Sequence, residues 1–155
     1  MTKVYYSILN ARHQGFRAGG VIIKNNKILL MHQILGKEDF YTLPGGTWEN
    51  GETLEQTCKR EIYEEFGIDV DVDKLLFLLD TDTRIAFYFL CHTNNIDIKL
   101  GGPEKERMDD HEKYYVEWLD LKDIDKVNFV PKTAKKGIKK HIKNPNGPVF
   151  FVCNN

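Results

Sequence analysis

GTWENGETLEQTCKREIYEEFGI, residues 46–68, decides the fold of this chain because its character changes at Thr53. From Thr53 to Phe66 the stretch contains neither Gly nor Pro, and Leu54, Cys58, Ile62 and Phe66 recur every four residues. That spacing predicts an amphipathic helix with one apolar stripe. Gly67 stands where the left-handed residue that ends a helix belongs. Each residue of a helix advances by about 100°, so Glu61, Glu64 and Glu65 fall within one arc of about 100° beside the stripe. Three carboxylates therefore share one edge of the face that must be buried.

Carboxylates this close repel one another, by a few tenths of a kcal/mol per pair even when exposed, and half-burial raises that cost. A solvated acidic face would gain from a Lys four residues after Glu61, and the chain has none there. A divalent cation resolves the conflict. Magnesium or manganese suits it best, since hard ions prefer oxygen ligands and keep positions for water and phosphate. Arg60 is read as an orienter whose planar fork can hold a carboxylate such as Glu52. Gly45 and Gly46 let the backbone pass close to a ligand, and the Gly46 carbonyl would add one more oxygen.

Outward from this window, AGGVII and ILLMHQI flank KNNK, which predicts a hairpin over Phe16 to Ile34 with Asn25 and Asn26 at its tip. A short apolar stretch, Phe40 to Leu43, then meets Pro44, Gly45 and Gly46, which argue against a continued strand and predict a loop there. Lys74 to Asp80 and Arg84 to His92, separated by TDT, read as two further strands in a hairpin. Gly101 to Lys113 is charge-rich and reads as a mobile loop. YYVEWLDL then reads as a strand, and Pro131 to Lys143 as a second helix with Pro131 in its first turn. Strands on both sides of a motif helix, with a terminal helix, predict α/β architecture with a mixed sheet between helices.

A chain of 155 residues, 41% hydrophobic and 12% aromatic, has enough apolar content for one core and is expected to form a single domain over 1–155. Its formal charge of −1 supplies no global field to gather nucleic acid or an anionic membrane, so a polyanion must be held locally or through a cation. Cys58, Cys91 and Cys153 are odd in number, widely spaced and lack metal spacing, so neither a disulfide framework nor a zinc site is supported. With no apolar leader and no membrane-length run, a reducing cytoplasm is the expected location.

The window resembles the Nudix box, G-x5-E-x7-R-E-U-x-E-E-x-G-U with U aliphatic. The pattern falls without mismatch on Gly46, Glu52, Arg60, Glu61, Ile62, Glu64, Glu65, Gly67 and Ile68. The resemblance implies a Nudix fold, a mixed β-sheet sandwich between α-helices with a catalytic loop-helix-loop. It also implies hydrolysis of nucleoside diphosphates linked to another moiety. By position, Glu61 and Glu65 would bind the essential ion beside the Gly46 carbonyl. Glu64 would be a further ligand or orient water, and Glu52 and Arg60 would support them. Similar proteins recruit another acid from a loop beyond the box, for which Glu112 is the first candidate and Glu104 and Glu106 the next.

The leaving group stays open. A nucleoside triphosphate, ADP-ribose or a nucleotide sugar, a dinucleoside polyphosphate and capped RNA all fit, and so does a module that binds nucleotide without cleaving it, although such modules usually lose a box carboxylate. Phe16, Trp48, Tyr88 and Phe129 are candidates for stacking on a base. Arg12, Arg17 and Arg84 are candidates for terminal phosphates or ribose. Lys132, Lys135, Lys136, Lys139, Lys140 and Lys143 form a basic face on the second helix, read first as a solvated surface. The expected partner is a small nucleotide, with no membrane and no general nucleic-acid role. Homodimers are common among similar proteins.

Overall fold

A computed structural model describes residues 15–80, 84–95, 98 and 101–153. Strands β1 (Phe16–Lys24) and β2 (Lys27–Leu35) form the antiparallel hairpin expected from the sequence. Asn25 and Asn26 turn the corner at φ 51° and 60°. A two-residue turn whose twist matches its strands needs both positions left-handed, and Asn tolerates this better than other residues with a side chain.

β1 belongs to two sheets, and that shared strand sets the architecture. In the first, β2 lies between β3 (Glu38–Thr42) and β7 (Glu112–Asp120), both antiparallel to it. In the second, β1 runs parallel to β6 (Ile85–His92) and antiparallel to β4 (Gly45–Thr47). β6 pairs antiparallel with β5 (Asp71–Asp80), which runs parallel to β8 (Phe150–Cys153). Helix α1 (Leu54–Phe66) covers one side, where Cys58, Ile62 and Phe66 are fully buried with Ala18, Ile22, Leu29 and Cys91. Each aliphatic or aromatic side chain buried there stabilises by roughly 1.5–3 kcal/mol, which holds the charged edge of α1 in place. On the other side, Ala134 and Ile138 of α3 (Lys132–Lys143) pack with Val21, Leu30, Phe77 and Tyr88. The mixed sheets thus lie between helices, as the periodicities predict.

Two expectations are corrected, and one strand was not foreseen. Gly45 and Gly46 do not begin a loop: with Thr47 they form β4, paired with Gly19, Ala18 and Arg17 of β1. Pro and Gly are excluded from long central strands, but a three-residue edge segment tolerates them, and the Pro44 carbonyl still accepts from Gly20 N–H at 3.1 Å. Gly101 to Lys113 is not simply a loop. It contains α2 (Gly102–Arg107), with Pro in the first turn, and then a turn in which the Asp109 carboxylate accepts from the His111 and Glu112 amides at 2.6 and 2.8 Å. High charge predicted exposure, which holds over 105–111, but local side-chain bonds supply the order. Finally, β8 was missed: a four-residue apolar run next to Pro148 is too short for periodicity to register.

The boundaries of α1 agree with the sequence to within one residue, whereas Pro131, expected inside the first turn of α3, is its extended N-cap at φ −69° and ψ 152°. Thr53 caps α1 through a reciprocal pair, Gln56 N–H to Thr53 Oγ1 at 3.1 Å and Thr53 N–H to Gln56 Oε1 at 2.7 Å. No helix among the described residues is long and apolar enough to cross a membrane. Gly67 ends α1 at φ 65°, its N–H bonded to the Tyr63 carbonyl at 2.8 Å. A Cβ in that left-handed conformation is strained, so Gly67→Ala should destabilise the protein by about 1 kcal/mol. Chemical denaturation with an unchanged slope would show it, and an equal or higher midpoint would refute the capping role.

Candidate active site

A cleft of about 660 Å³ opens where β4 and α1 meet β1, β6 and the β2–β3 ladder. Gly45, Gly46, Glu61 and Glu65 line it on one side, with Arg17 of β1 and Arg84 close to β6. Its position follows from the pairings: β4 lies on β1 at Arg17–Gly19, and the buried stripe of α1 presses the helix edge onto β4. A Cβ at Gly46 would collide with the Glu61 carboxylate, so only Gly lets that carboxylate lie against the backbone. Glu65, one turn further on, accepts from the Gly45 amide through Oε2 at 3.0 Å.

Arg60 ties these parts together. Its Nε and Nη2 donate to Oε1 and Oε2 of Glu52 at 2.6 and 3.1 Å, a two-pronged contact. Nη1 donates to Glu61 Oε1 at 2.8 Å, and Nη2 also reaches the Thr47 carbonyl at 3.0 Å. Glu52 is fixed further by the Thr57 hydroxyl at 2.9 Å. Glu64 touches the group only at 3.5 Å from Nη1, and its side chain is 48% exposed.

These contacts perturb the ionisable groups in opposite directions. The Arg60 hydrogen bonds hold Glu52 far below the ordinary carboxylate range, at about 2, against a smaller opposing effect of desolvation. Burial pushes Glu61 up; Arg60 opposes this and the neighbouring Glu64 charge adds to it. Burial works against the Arg17 charge, yet the Tyr88 hydroxyl and the charges of Glu65 and Glu61 outweigh it and keep the guanidinium above its usual value. The cleft therefore sets a costly carboxylate beside an arginine locked in its charged form.

The structure brings Gly46, Glu61 and Glu65 to the cleft wall and gathers Glu52 and Arg60 directly behind them. Glu64 does not line the cleft, and its side chain is half exposed. Glu112 does not line the cleft: it opens β7 opposite Leu35, and its carboxylate accepts from the Tyr114 hydroxyl at 3.3 Å. Glu106 is exposed on α2, while the side chain of Glu104, like Arg12, lies outside the described residues. Of the aromatic candidates, Tyr88 faces the cleft, Trp48 donates to the Glu52 carbonyl at 2.7 Å, Phe16 packs edge-on against Phe87, and Phe129 is core. Not singled out by the sequence were the cleft-lining Met31, Gln33, Phe40 and Thr42, whose signal is strand alternation, and Val130 and Pro131, which lie in an irregular segment and carry none.

Among the described residues no three His, Cys, Asp or Glu side chains converge closely enough to form a metal site by themselves. The donors that are present are two carboxylates one helical turn apart, beside the backbone of Gly46. That set fits a hard divalent ion whose remaining positions are filled by water and substrate phosphate.

Comparison with known proteins agrees with this geometry. A family model described as the NUDIX domain matches residues 14–143. The chain is 32% identical over 142 residues to an ADP-ribose pyrophosphatase of Methanocaldococcus jannaschii, covering 87% of this chain and 77% of that protein. It is 39% identical over 85 residues to an 8-oxo-dGTP diphosphatase of Proteus vulgaris, covering 50% of this chain and 76% of that one. Among solved structures, a NUDIX hydrolase of Nitrosomonas europaea superposes with a TM-score of 0.68 at 19% identity, over 90% of this chain and 78% of that one.

Because Glu52 is depressed to about 2 in the folded protein, its ionisation adds stability above the ordinary carboxylate pKa of about 4.3, and that stability is lost as pH falls toward 2. Wild type should therefore be more stable than Glu52→Gln near neutral pH. The gap in thermal midpoint should narrow steadily below about pH 4.5. A gap independent of pH would mean that the Arg60–Glu52 pair carries no such linkage.

Proposed function

This chain belongs to the Nudix family of pyrophosphohydrolases, and on that premise we propose that it hydrolyses the diphosphate linkage of a nucleoside diphosphate joined to another moiety, with magnesium, releasing a nucleoside monophosphate. The observation that carries the reading is the convergence of Glu61, Glu65 and the Gly46 backbone on one wall of a cleft that also holds Arg17 and Arg84. Nudix hydrolases use divalent ions. Such an ion, when bound, would polarise water and neutralise charge on the phosphate oxygens.

The chain's own groups have separable tasks in this scheme. Glu61 and Glu65 supply the anionic oxygens, placed one turn apart on a helix that the core holds rigid. Arg60 prevents the Glu61 carboxylate from swinging toward solvent. Arg17, kept charged by Tyr88 and the two glutamates, is placed to hold a phosphate oxygen on the strand side of the cleft. Glu64, whose side chain is half exposed, orients water. Manganese would satisfy the same oxygen donors.

A nucleoside triphosphate or related nucleotide is the first reading of the substrate. ADP-ribose is the second, favoured by the name of the Methanocaldococcus jannaschii relative, which spans most of this chain. Both are nucleoside diphosphates carrying a further group, so the two readings share one bond type and differ only in what leaves.

A panel of nucleoside triphosphates, ADP-ribose, nucleotide sugars and dinucleoside polyphosphates, with product nucleotide measured by chromatography, should reveal magnesium-dependent release of a monophosphate that chelation abolishes. Glu61→Gln and Glu65→Gln should each lower kcat by about 10²-fold or more, the scale expected when a strong electrostatic group is removed. Glu64→Gln should cost less, because that carboxylate already faces solvent. Unchanged turnover in both Glu61→Gln and Glu65→Gln would refute the assignment.

A further inference from the structure

We propose that Gln33 and Thr42 read the edge of a nucleobase at the uncharged end of the cleft, and so restrict the enzyme to nucleotides among diphosphate compounds. The inference rests on reading the charged end as the diphosphate site, and it concerns residues outside the motif.

The β2–β3 register places Met31 opposite Thr42 and Gln33 opposite Phe40. Alternate residues of a strand share a face, so these four form one tile, and all four line the cleft. The intervening pair, His32 and Tyr41, stack on each other at 4.2 Å on the opposite face. Beside β3 runs the segment 128–131, joined to it by Tyr41 N–H to the Asn128 carbonyl at 2.8 Å and Val130 N–H to the Tyr41 carbonyl at 2.9 Å. This brings Val130 and Pro131 to the cleft, and Val130 is 42% exposed there. With Met31, Phe40 and Leu43 they make an apolar enclosure, which a diphosphate does not need and a planar base does.

Within that enclosure Gln33 and Thr42 are polar, and they are bonded to each other: Gln33 Nε2 donates to Thr42 Oγ1 at 2.9 Å. The bond fixes the amide plane. It leaves the amide oxygen as an acceptor and the threonine hydroxyl proton as a donor, with no protein partner for either among the described residues. A donor beside an acceptor is the complement of a base edge, whereas phosphate offers acceptors only and would be repelled by the amide oxygen. The same cleft is lined from β1, the residue before β6 and α1 by Arg17, Arg84, Glu61 and Glu65. The cleft thus has one group of lining residues suited to a polyanion and one suited to a flat, hydrogen-bonding, otherwise apolar ring.

The test uses Gln33→Leu and Thr42→Val, which keep shape and remove the polar edge, with Thr42→Ser as the variant that keeps the hydroxyl. Each protein is assayed with the best nucleotide of the panel and with its base-free counterpart, the same ribose 5-diphosphate derivative lacking the base. Binding of the matching nucleoside monophosphate and of ribose 5-phosphate is measured by calorimetry with magnesium. The first two variants should lose tenfold or more in kcat/KM on the nucleotide, chiefly through KM. That loss should exceed any loss on the base-free compound by at least tenfold, and Thr42→Ser should recover most of it. Wild type should bind the monophosphate at least tenfold tighter than ribose 5-phosphate, and the two variants should lose that preference. Equal losses on both compounds, or an undiminished preference in the variants, would overturn the proposal. Base-selective binding that depends on Gln33, together with no turnover of any diphosphate, would support the base site and defeat the hydrolytic reading instead.

Discussion

Everything in the site depends on the Arg60 guanidinium. It touches the end of β4, the loop carrying Glu52 and the face of α1 at once, through Thr47, Glu52 and Glu61. A loop-helix-loop has little internal stiffness, since its connecting residues are polar and partly exposed. A planar fork with five donors in fixed directions can brace three segments simultaneously, and an ammonium group cannot reproduce that geometry. Without it, Glu52 and Glu61 would be left as partly buried anions near Glu64, and their repulsion would open the segment. The depressed Glu52 and the elevated Glu61 are two outcomes of this shared cation: one carboxylate receives both prongs, the other receives one and is more deeply buried.

The brace works only because α1 is already anchored. Cys58, Ile62 and Phe66 are sunk in the core, the N-terminus is closed by the Thr53–Gln56 reciprocal bonds and the C-terminus by Gly67. The Gly101 amide adds a tie from outside, donating to the Glu65 carbonyl at 2.8 Å. The helix edge is therefore held against β4, and the Glu61 carboxylate is kept beside Gly46 where burial raises the cost of its charge. Such stored cost is characteristic of groups kept ready for a cation or a reaction.

Legibility from the sequence tracked the length scale of each constraint. α1, its cap at Gly67 and the Asn25–Asn26 hairpin are local, so spacing alone revealed them. The Arg60–Glu52 pairing spans eight residues and was legible because a planar fork beside a cluster of acids has few other uses. β4 was not legible, because Gly and Pro weaken a strand locally while β1 recruits the segment across a separation the sequence does not display. Gln33 and Thr42 were equally silent: each is an ordinary strand residue, and only the register of β2 on β3, together with the segment at Val130, turns their faces into a wall.

This division has a consequence for how such a cleft acquires its substrate. The charged end comes from β4 and α1, where a change in spacing would break the Arg60 brace, so it is tightly constrained. The apolar end comes from β2, β3 and the 128–131 segment, none of which touches Arg60. Side chains there can change without disturbing the carboxylates, because mutations without shared partners act nearly independently. On the proposed function, bond cleavage and group recognition would be carried by elements that share no Arg60 contact. Leu43 and Gly45, both in the cleft lining, lead along the chain from the β2–β3 ladder into the carboxylate wall. A nucleotide spanning that junction would be held at both ends by elements that answer to different parts of the sequence.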